Sequence, residues 1–201
     1  MDRGDFSSET GSQPGVARAK HIAMHRLFVG IRPPAAIRAA LIATMSGVEG
    51  ARWQDDDQLH ITLRYIGEVE RPVAEDVAAM LGQVRGPSFD LALQGVGLFD
   101  RGSRRPTALW AGVRPHDAIR DLHHKIDRAV VRAGLEPERR AYLPHITLAR
   151  IGGGGAVVDP WLAVHAGLAS EMFTVSHFLL FESHLGREGA RYEAIARYAL
   201  D

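Results

Sequence analysis

The chain has 201 residues, of which 46% are hydrophobic, and its 24 Lys and Arg are balanced by 24 Asp and Glu. This length and composition predict one domain, or two small lobes sharing an interface, and the neutral charge excludes a whole-molecule field that would hold a long nucleic acid through its phosphates. Cysteine is absent, which excludes disulfides, thiolate catalysis and cysteine-ligated zinc.

The start of the chain differs in composition from the rest. Residues 1–24 are rich in Ser, Gly and charged residues without periodicity, which predicts a disordered tail before a single domain at residues 25–201. The basic and then apolar run of a signal peptide is missing, and no segment reaches the ~18 apolar residues of a membrane span. We therefore expect a cytoplasmic protein with no membrane partner, no obligate protein partner and a monomeric state.

Strand and helix patterns interleave along the remaining chain. Apolar spacing of three to four predicts helices, and period-two alternation predicts strands, the last two forming an antiparallel pair across the turn at 185–189. A polar turn is expected at 100–106 and a flexible glycine loop at 152–155. The irregular order of elements predicts an α+β fold. The expected helices are 33–45, 72–84 and 116–135, and the expected strands are 26–31, 60–67, 89–99, 107–113, the segment from 145, 171–184 and 190–200.

The tetrapeptide His-Ile-Thr-Leu occurs twice, each time in a strand-like segment. Alternation places His60 and Thr62 on one face of the first strand, and His145 and Thr147 on one face of the second, with the apolar residues opposite. Two such strands facing each other would form a cleft. Histidine titrates near pH 6.5, so two imidazoles suit a reaction that removes one proton and delivers another. Phosphodiester hydrolysis is such a reaction, the hydroxyls can donate to its nonbridging oxygens, and it requires no metal and no cofactor.

Two arginines follow the tetrapeptides. Alternation puts Arg64 on the same face of the strand as His60, so it either lies near the substrate or is a solvated charge at a sheet edge. Strict alternation puts Arg150 on the face opposite His145. It would contact a phosphate only if the strand ends or bulges there, and otherwise it forms a structural ion pair.

Other residues attract attention as candidates for sites. His123 and His124 are adjacent on a predicted helix, point about 100° apart and are expected at the surface rather than as a metal-binding pair. The acidic run at 55–57 lacks the spaced oxygen ligands of a calcium loop and is expected to be a solvated loop. Trp53 and Tyr142 lie upstream of the two motifs, where they would stack on bases or pack against the domain.

These residues resemble the two-histidine phosphoesterase superfamily, and within it the RNA 2′,3′-cyclic phosphodiesterases formerly called 2′-5′ RNA ligases. The segments that carry the resemblance are "RLFVGIRPP", "LHITLRYIGEV", "YLPHITLAR" and "ARYEAIARYAL". The resemblance implies a bilobal α+β fold with two antiparallel sheets, helices on their outer faces and a pseudo-twofold axis through a central cleft. It places His60 and His145 in the active site. Gln58 departs from the Asn that commonly precedes the first motif.

The activity implied by the resemblance is the metal-independent opening of 2′,3′-cyclic phosphates at RNA ends to a 2′-phosphate. His145 would be the base on water and His60 the acid, with Thr62, Thr147, Arg150 and Arg64 as candidate phosphate or substrate contacts. Reversible 2′-5′ RNA ligation is left open. The alternatives are a phosphodiesterase of small cyclic phosphates, such as a cyclic nucleotide or ADP-ribose cyclic phosphate, and a noncatalytic RNA- or nucleotide-binding module. Two histidines without a third ligand support a metal protein poorly.

Overall fold

The computed structural model describes residues 24–100, 106–152, 156–186 and 189–201. These ranges contain nine strands, four α-helices and one 3₁₀ helix at Asp56–Gln58. The strands are β1 Met24–Ile31, β2 Ala51–Trp53, β3 Ile61–Glu70, β4 Phe89–Asp100, β5 Pro106–Arg114, β6 His145–Ile151, β7 Phe173–Val175, β8 His177–Gly186 and β9 Gly189–Ala199, and the helices are α1 Ala35–Ile42, α2 Arg71–Leu81, α3 Asp117–Arg132 and α4 Asp159–His165.

The strands form two antiparallel halves that join at their centre. The order is β7-β4-β5-β6-β3-β1-β8-β9, with β2 added to β6. One residue pair, Ile61 with Ile146, links β3 to β6. Each half therefore has four main strands and begins at the junction with a strand that carries one His-Ile-Thr-Leu segment. The predicted α+β fold of two antiparallel halves is confirmed.

One face of each half is covered by helices. In β1, Leu27 and Val29 are fully buried, and the neighbouring helices α2 and α3 pack on β1 and β3. Burial of such a side chain contributes about 1.5–3 kcal/mol, which fixes the apolar face against the helices. On the other half, Trp161 of α4 donates to the carbonyl of Thr44 just after α1, at 2.8 Å. The helices thus occupy one side of the sheet, and the opposite side carries the motif histidines.

Several predicted boundaries change. The strand predicted at 171–184 is two strands, of which β7 pairs with β4 and β8 with β9. The elements β2, the 3₁₀ helix and α4 were not predicted, because 3 to 7 residues are too few to show a period. Within the described ranges, every helix is too short or too polar to cross a membrane.

Some sequence predictions fall outside the described ranges. They include residues 1–23 of the predicted tail, while Met24 is the first residue of β1. Residues 101–105 and 187–188 of the two predicted turns, and residues 153–155 of the glycine loop, also lie outside.

Candidate active site

His60 lies immediately before β3, and its ring is held by a backbone carbonyl two residues upstream. Its Nδ1 is 2.6 Å from the carbonyl oxygen of Gln58. A carbonyl only accepts hydrogen bonds, so Nδ1 carries the proton and Nε2 is the basic nitrogen of the neutral ring. Nε2 lies 3.1 Å from the hydroxyl of Thr62. The first motif therefore presents an oriented imidazole paired with a hydroxyl.

His145, the first residue of β6, has the same arrangement. Its Nδ1 donates to the carbonyl of Leu143 at 2.8 Å, again two residues upstream. The same tautomer follows, with Nε2 as the basic nitrogen. Thr147 is half-buried two residues farther along the strand. The repeated tetrapeptide thus produces a repeated local geometry.

The junction between the two halves brings the motifs together. Ile61 and Ile146 are Cα partners in an antiparallel pair. In an antiparallel register, residues on either side of a pair also face each other. The register therefore brings each histidine toward the threonine of the other motif, with His60 and Thr147 on one side of the pair and Thr62 and His145 on the other.

Aromatic rings surround both imidazoles. The centroid of the His60 ring lies 4.7 Å from that of Phe28, 5.2 Å from Tyr192 and 6.0 Å from Phe181. A Cβ at Gly30 would lie 2.8 Å from the carbonyl oxygen of Ile61 and 3.5 Å from Cδ2 of His60, so only glycine allows β1 to pass this close to the motif.

The surroundings of His145 are of the same kind. Its ring is edge-on to Phe99 at 4.8 Å and lies 6.2 Å from Trp110. Both rings thus have apolar walls that keep water from part of their surface.

Burial lowers the pKa of both histidines. The pKa of His60 falls to about 4, mainly because burial penalises the charged ring, with smaller contributions from the positive charges of His145 and Arg150. The pKa of His145 is lowered by burial and by Arg150. The backbone hydrogen bond of each ring opposes these effects. In the free protein at neutral pH, His60 is therefore neutral and able to accept a proton.

A β-bulge follows each motif and changes which side chains lie on the sheet face that carries the two histidines, here called the cleft. Against β1, Gly30 pairs with Thr62 and Val29 with Arg64, so Leu63 is an extra residue in β3. Against β5, Trp110 pairs with Thr147 and Leu109 with Ala149, so Leu148 is the extra residue in β6. An extra residue exchanges the two faces for the residues that follow it, and in β3 a second extra residue, Ile66, exchanges them again.

Arg150 consequently lies on the histidine face. Its Cα partner Ala108 is on the face opposite the buried Leu109. Arg150 is exposed, and its charge lowers the pKa of both His60 and His145. Of the two alternatives for Arg150, the bulge provides the geometry required for phosphate contact, and the described residues place no carboxylate within 4 Å of it.

The prediction that Arg64 shares the face of His60 is wrong. Its side chain is 10% exposed and pairs with Asp127 of α3 at 2.7 Å. It also donates to the backbone carbonyls of Tyr65 and Glu136. The bulge at Leu63 turns Arg64 toward the helices, where it forms a structural ion pair.

The cleft position beyond the first bulge belongs to Tyr65, which strict alternation predicts on the opposite face with Ile61 and Leu63; that prediction is wrong. Tyr65 is the Cα partner of Phe28 and is 46% exposed. The two segments are HITLRYIG and HITLARIG, so Tyr65 corresponds to Arg150 position by position. In both, the apolar spacing lengthens from two to three after the leucine, which is the signal of an inserted residue.

His123 is buried, although the sequence reading placed it at the surface, whereas His124 is exposed. The His123 ring stacks on Tyr142 at 4.0 Å, and its Nδ1 is 2.7 Å from the carbonyl of Leu63. Tyr142 donates to the carbonyl of Thr62 at 3.2 Å. Tyr142 therefore packs against the domain, and these two side chains hold the backbone at the first bulge.

The acidic run is ordered by arginines. Asp56 pairs with Arg38 at 2.8 Å and with Arg32 at 3.2 Å, and Asp57 also pairs with Arg32. The run is solvent-exposed as expected, but Asp56–Gln58 form a 3₁₀ helix held by ion pairs rather than an irregular loop. Trp53 packs near Trp161 of α4 at 5.9 Å. In the part of the chain that the structure describes, no three His, Asp or Glu side chains are placed to hold a metal ion.

Comparisons with known proteins find relatives of this chain by sequence and by fold. Residues 32–187 match the family model described as 2′-5′ RNA ligase superfamily. The RNA 2′,3′-cyclic phosphodiesterase of Aeropyrum pernix is 39% identical over 144 residues, which span 70% of this chain and 81% of that protein. The RNA 2′,3′-cyclic phosphodiesterase of Escherichia coli is 30% identical over 183 residues, 87% of this chain and 96% of that protein. The crystal structure of E. coli LigT complexed with 3′-AMP superposes with a TM-score of 0.73 at 28% identity and covers 89% of this chain and 99% of that one.

Proposed function

This chain belongs to the 2′-5′ RNA ligase superfamily, and we propose that within it the protein is a phosphodiesterase that opens 2′,3′-cyclic phosphates at RNA 3′ ends. The doubled histidine geometry carries the proposal. Each ring donates Nδ1–H to a carbonyl two residues upstream, which leaves Nε2 for proton transfer. Relatives from an archaeon and a bacterium are named for this activity.

The reaction requires one base and one acid on opposite sides of phosphorus. Nε2 of His145 takes a proton from water as the water oxygen forms its bond to phosphorus. The P–O3′ bond breaks, and Nε2–H of His60 delivers its proton to O3′, leaving a 2′-phosphate. Thr62, Thr147 and Arg150 donate hydrogen bonds to the nonbridging oxygens, where negative charge develops. His145 then releases its proton to solvent and His60 takes one up, which restores the starting state.

The acid obtains its proton when the substrate binds. Burial and Arg150 lower the pKa of both histidines in the free protein. A bound phosphodiester carries a negative charge that offsets Arg150 and favours the charged imidazole, so its binding raises the pKa of the neighbouring ring. A protonated acid beside a neutral base is therefore the state of the complex rather than of the free protein.

Small cyclic phosphates form a second candidate substrate class. A cavity of about 600 Å³ adjoins the His60 wall, and Gln58, Arg191 and Tyr192 are among its lining residues. This volume is in the range of sites that hold a small molecule. Cyclic mononucleotides are therefore the competing substrates to assay. The expected cytoplasmic location and monomeric state stay predictions, which cell fractionation and size-exclusion chromatography would test.

Substitution of the histidines tests the mechanism. We expect His60→Ala and His145→Ala each to lower kcat by about 10²–10⁴ on an oligonucleotide with a 2′,3′-cyclic phosphate end, as loss of a positioned proton-transfer group does. Thr62→Ala and Thr147→Ala should cost less. His124→Ala, which removes an exposed histidine on α3, is the matched control.

The product distinguishes the orientation of the substrate. A phosphatase selective for 3′-phosphates should leave the product intact. Full activity in either folded histidine variant would contradict the two-histidine assignment, whereas a 3′-phosphate product would contradict only the assigned leaving oxygen.

A further inference from the structure

The two walls of the cleft differ at one equivalent position. Beyond the bulge in β6 the cleft residue is Arg150, and beyond the bulge in β3 it is Tyr65. The motifs themselves are identical through the tetrapeptide. A substrate that enters this nearly symmetric cleft can therefore be oriented by the difference between a cation on the His145 wall and an aromatic ring on the His60 wall.

Tyr65 is presented to solvent and yet fixed. Among the Phe, Tyr and Trp side chains of the described ranges it is the most exposed, at 46%. Nε of Arg26 donates to its hydroxyl at 2.9 Å, and Cζ of Arg26 lies 5.8 Å from the ring centroid. Its Cα partner Phe28 contacts the His60 ring. The exposed ring is thus one strand away from the ring that touches the histidine.

Arg26 adds a positive charge on the same face. It alternates with Leu27 and shares the face of Phe28, whereas His25 bonds to Glu182. The described residues bring no carboxylate within 4 Å of Arg26, although Glu68 is its Cα partner. One donor of the guanidinium is used by Tyr65, which leaves the terminal nitrogens for an anion.

We propose that Tyr65 and Arg26 form a site for the RNA strand, in which the ring of Tyr65 stacks on a base and Arg26 binds the phosphodiester on the 5′ side of the terminal nucleotide. This inference rests on the proposed function. Stacking on an aromatic ring accepts any base, and a guanidinium suits a phosphate. A strand held here would run along β1 and β3, beyond the Thr62 and His145 side of the junction.

The test compares two substrates across matched arginine variants. The substrates are an oligonucleotide with a 2′,3′-cyclic phosphate end and a nucleoside 2′,3′-cyclic phosphate without a 5′-phosphate. Arg26→Ala should lower kcat/KM about tenfold on the oligonucleotide and leave the mononucleotide within about twofold, because only the oligonucleotide carries the phosphodiester. The slope of log kcat/KM against log salt for the oligonucleotide should become shallower by about 0.7, as expected for one lost phosphate contact on a single strand.

Tyr65 is tested by separating its ring from its hydroxyl. Tyr65→Ala should lower kcat/KM on the oligonucleotide by about 5- to 150-fold through lost stacking. Tyr65→Phe keeps the ring and should retain most of that activity. A smaller decrease of kcat/KM on the oligonucleotide in Tyr65→Ala than in Tyr65→Phe would contradict a stacking role.

Two further arginine variants locate the strand. Arg71→Ala removes an exposed arginine that pairs with Glu75 on α2, away from the cleft, and should behave as wild type. Arg52 is the Cα partner of Arg150 on the opposite wall. A selective oligonucleotide loss in Arg52→Ala with none in Arg26→Ala would overturn the proposal, as would equal losses on both substrates in Arg26→Ala. Failure of the wild-type protein to open either substrate would instead refute the proposed function and the strand site with it.

Discussion

The opposite orientations of Arg64 and Arg150 predict opposite consequences for the same substitution. Arg64→Met removes an ion pair to Asp127 at 2.7 Å and two hydrogen bonds to backbone carbonyls, in a side chain that is 10% exposed. Leaving a partly buried carboxylate without its partner costs about 2–4 kcal/mol of unfolding free energy. For a domain of this size, that corresponds to a decrease in Tm of roughly 4–16 °C. Because Arg64 faces the helices, kcat of the folded variant should stay within a few-fold of wild type.

Arg150→Met should have the reverse effect. The side chain is exposed, and substitutions at such positions usually change stability by less than about 0.5 kcal/mol. Loss of a donor to the developing charge lowers kcat by about 10²–10³. The charge of Arg150 also lowers the pKa of both histidines, so both pKa values should rise in the variant.

Three measurements on each variant are decisive: the Tm by calorimetry, kcat on a 2′,3′-cyclic-phosphate oligonucleotide below the lowest Tm, and the imidazole pKa values by NMR titration. The reasoning predicts a stability defect in Arg64→Met and a catalytic defect in Arg150→Met. An unstable but fully active Arg150→Met, or an inactive and stable Arg64→Met, would refute the placement of the two bulges.

Three other predictions follow from the site. Tyr142→Phe removes the hydrogen bond to the carbonyl of Thr62. The substitution should lower the free energy of unfolding in urea by about 1 kcal/mol and kcat by a few-fold, with KM unchanged. A wild-type kcat would contradict a role of Tyr142 in positioning the first motif. The pKa of His60 is about 4 in the folded protein, against an ordinary value of 6.5, so the unfolded chain binds more protons between these pH values. The free energy of unfolding should therefore fall by about 2–3 kcal/mol as the pH falls from 6.5 toward 4. Urea unfolding at pH 7 and 4.5 should show a smaller decrease in His60→Gln than in the wild type, and an equal decrease would mean that His60 does not titrate in this way. EDTA should leave kcat unchanged because both proton transfers are assigned to imidazoles, and recovery of a chelated enzyme by one divalent metal would contradict that assignment.

Period-two alternation predicted the motif strands and their apolar face, but it failed at a definite point in each. His60, Thr62 and their counterparts lie before the bulge, where strict alternation holds. Arg64 and Arg150 lie after it, where one extra residue exchanges the two faces. The change in apolar spacing from two to three was present in both copies of the sequence. Alternation alone does not predict the exchange of faces, because a bulge is defined by the pairing with the neighbouring strand.

Helix periodicity places His123 on the buried face of α3. His123 lies four residues after Ile119 and three before Ile126, which are both fully buried. This spacing placed His123 on the buried face of α3, and its adjacency to His124 suggested a surface pair instead. Its partners, Tyr142 and the carbonyl of Leu63, are distant in sequence. No local pattern identifies such long-range contacts.

The bulges also allow the residues of the cleft to be changed independently of the packing of the core, two aims that usually conflict in protein engineering. In a regular strand, changing the cleft chemistry by insertion or phase shift would also move apolar residues out of the core. Here Ile66 and Ile151, which follow positions 65 and 150, pack on the core side, so positions 65 and 150 can be exchanged without altering core volume. Reciprocal substitution of Tyr65 and Arg150 is accordingly a route to reversing the polarity of the cleft while the scaffold stays intact.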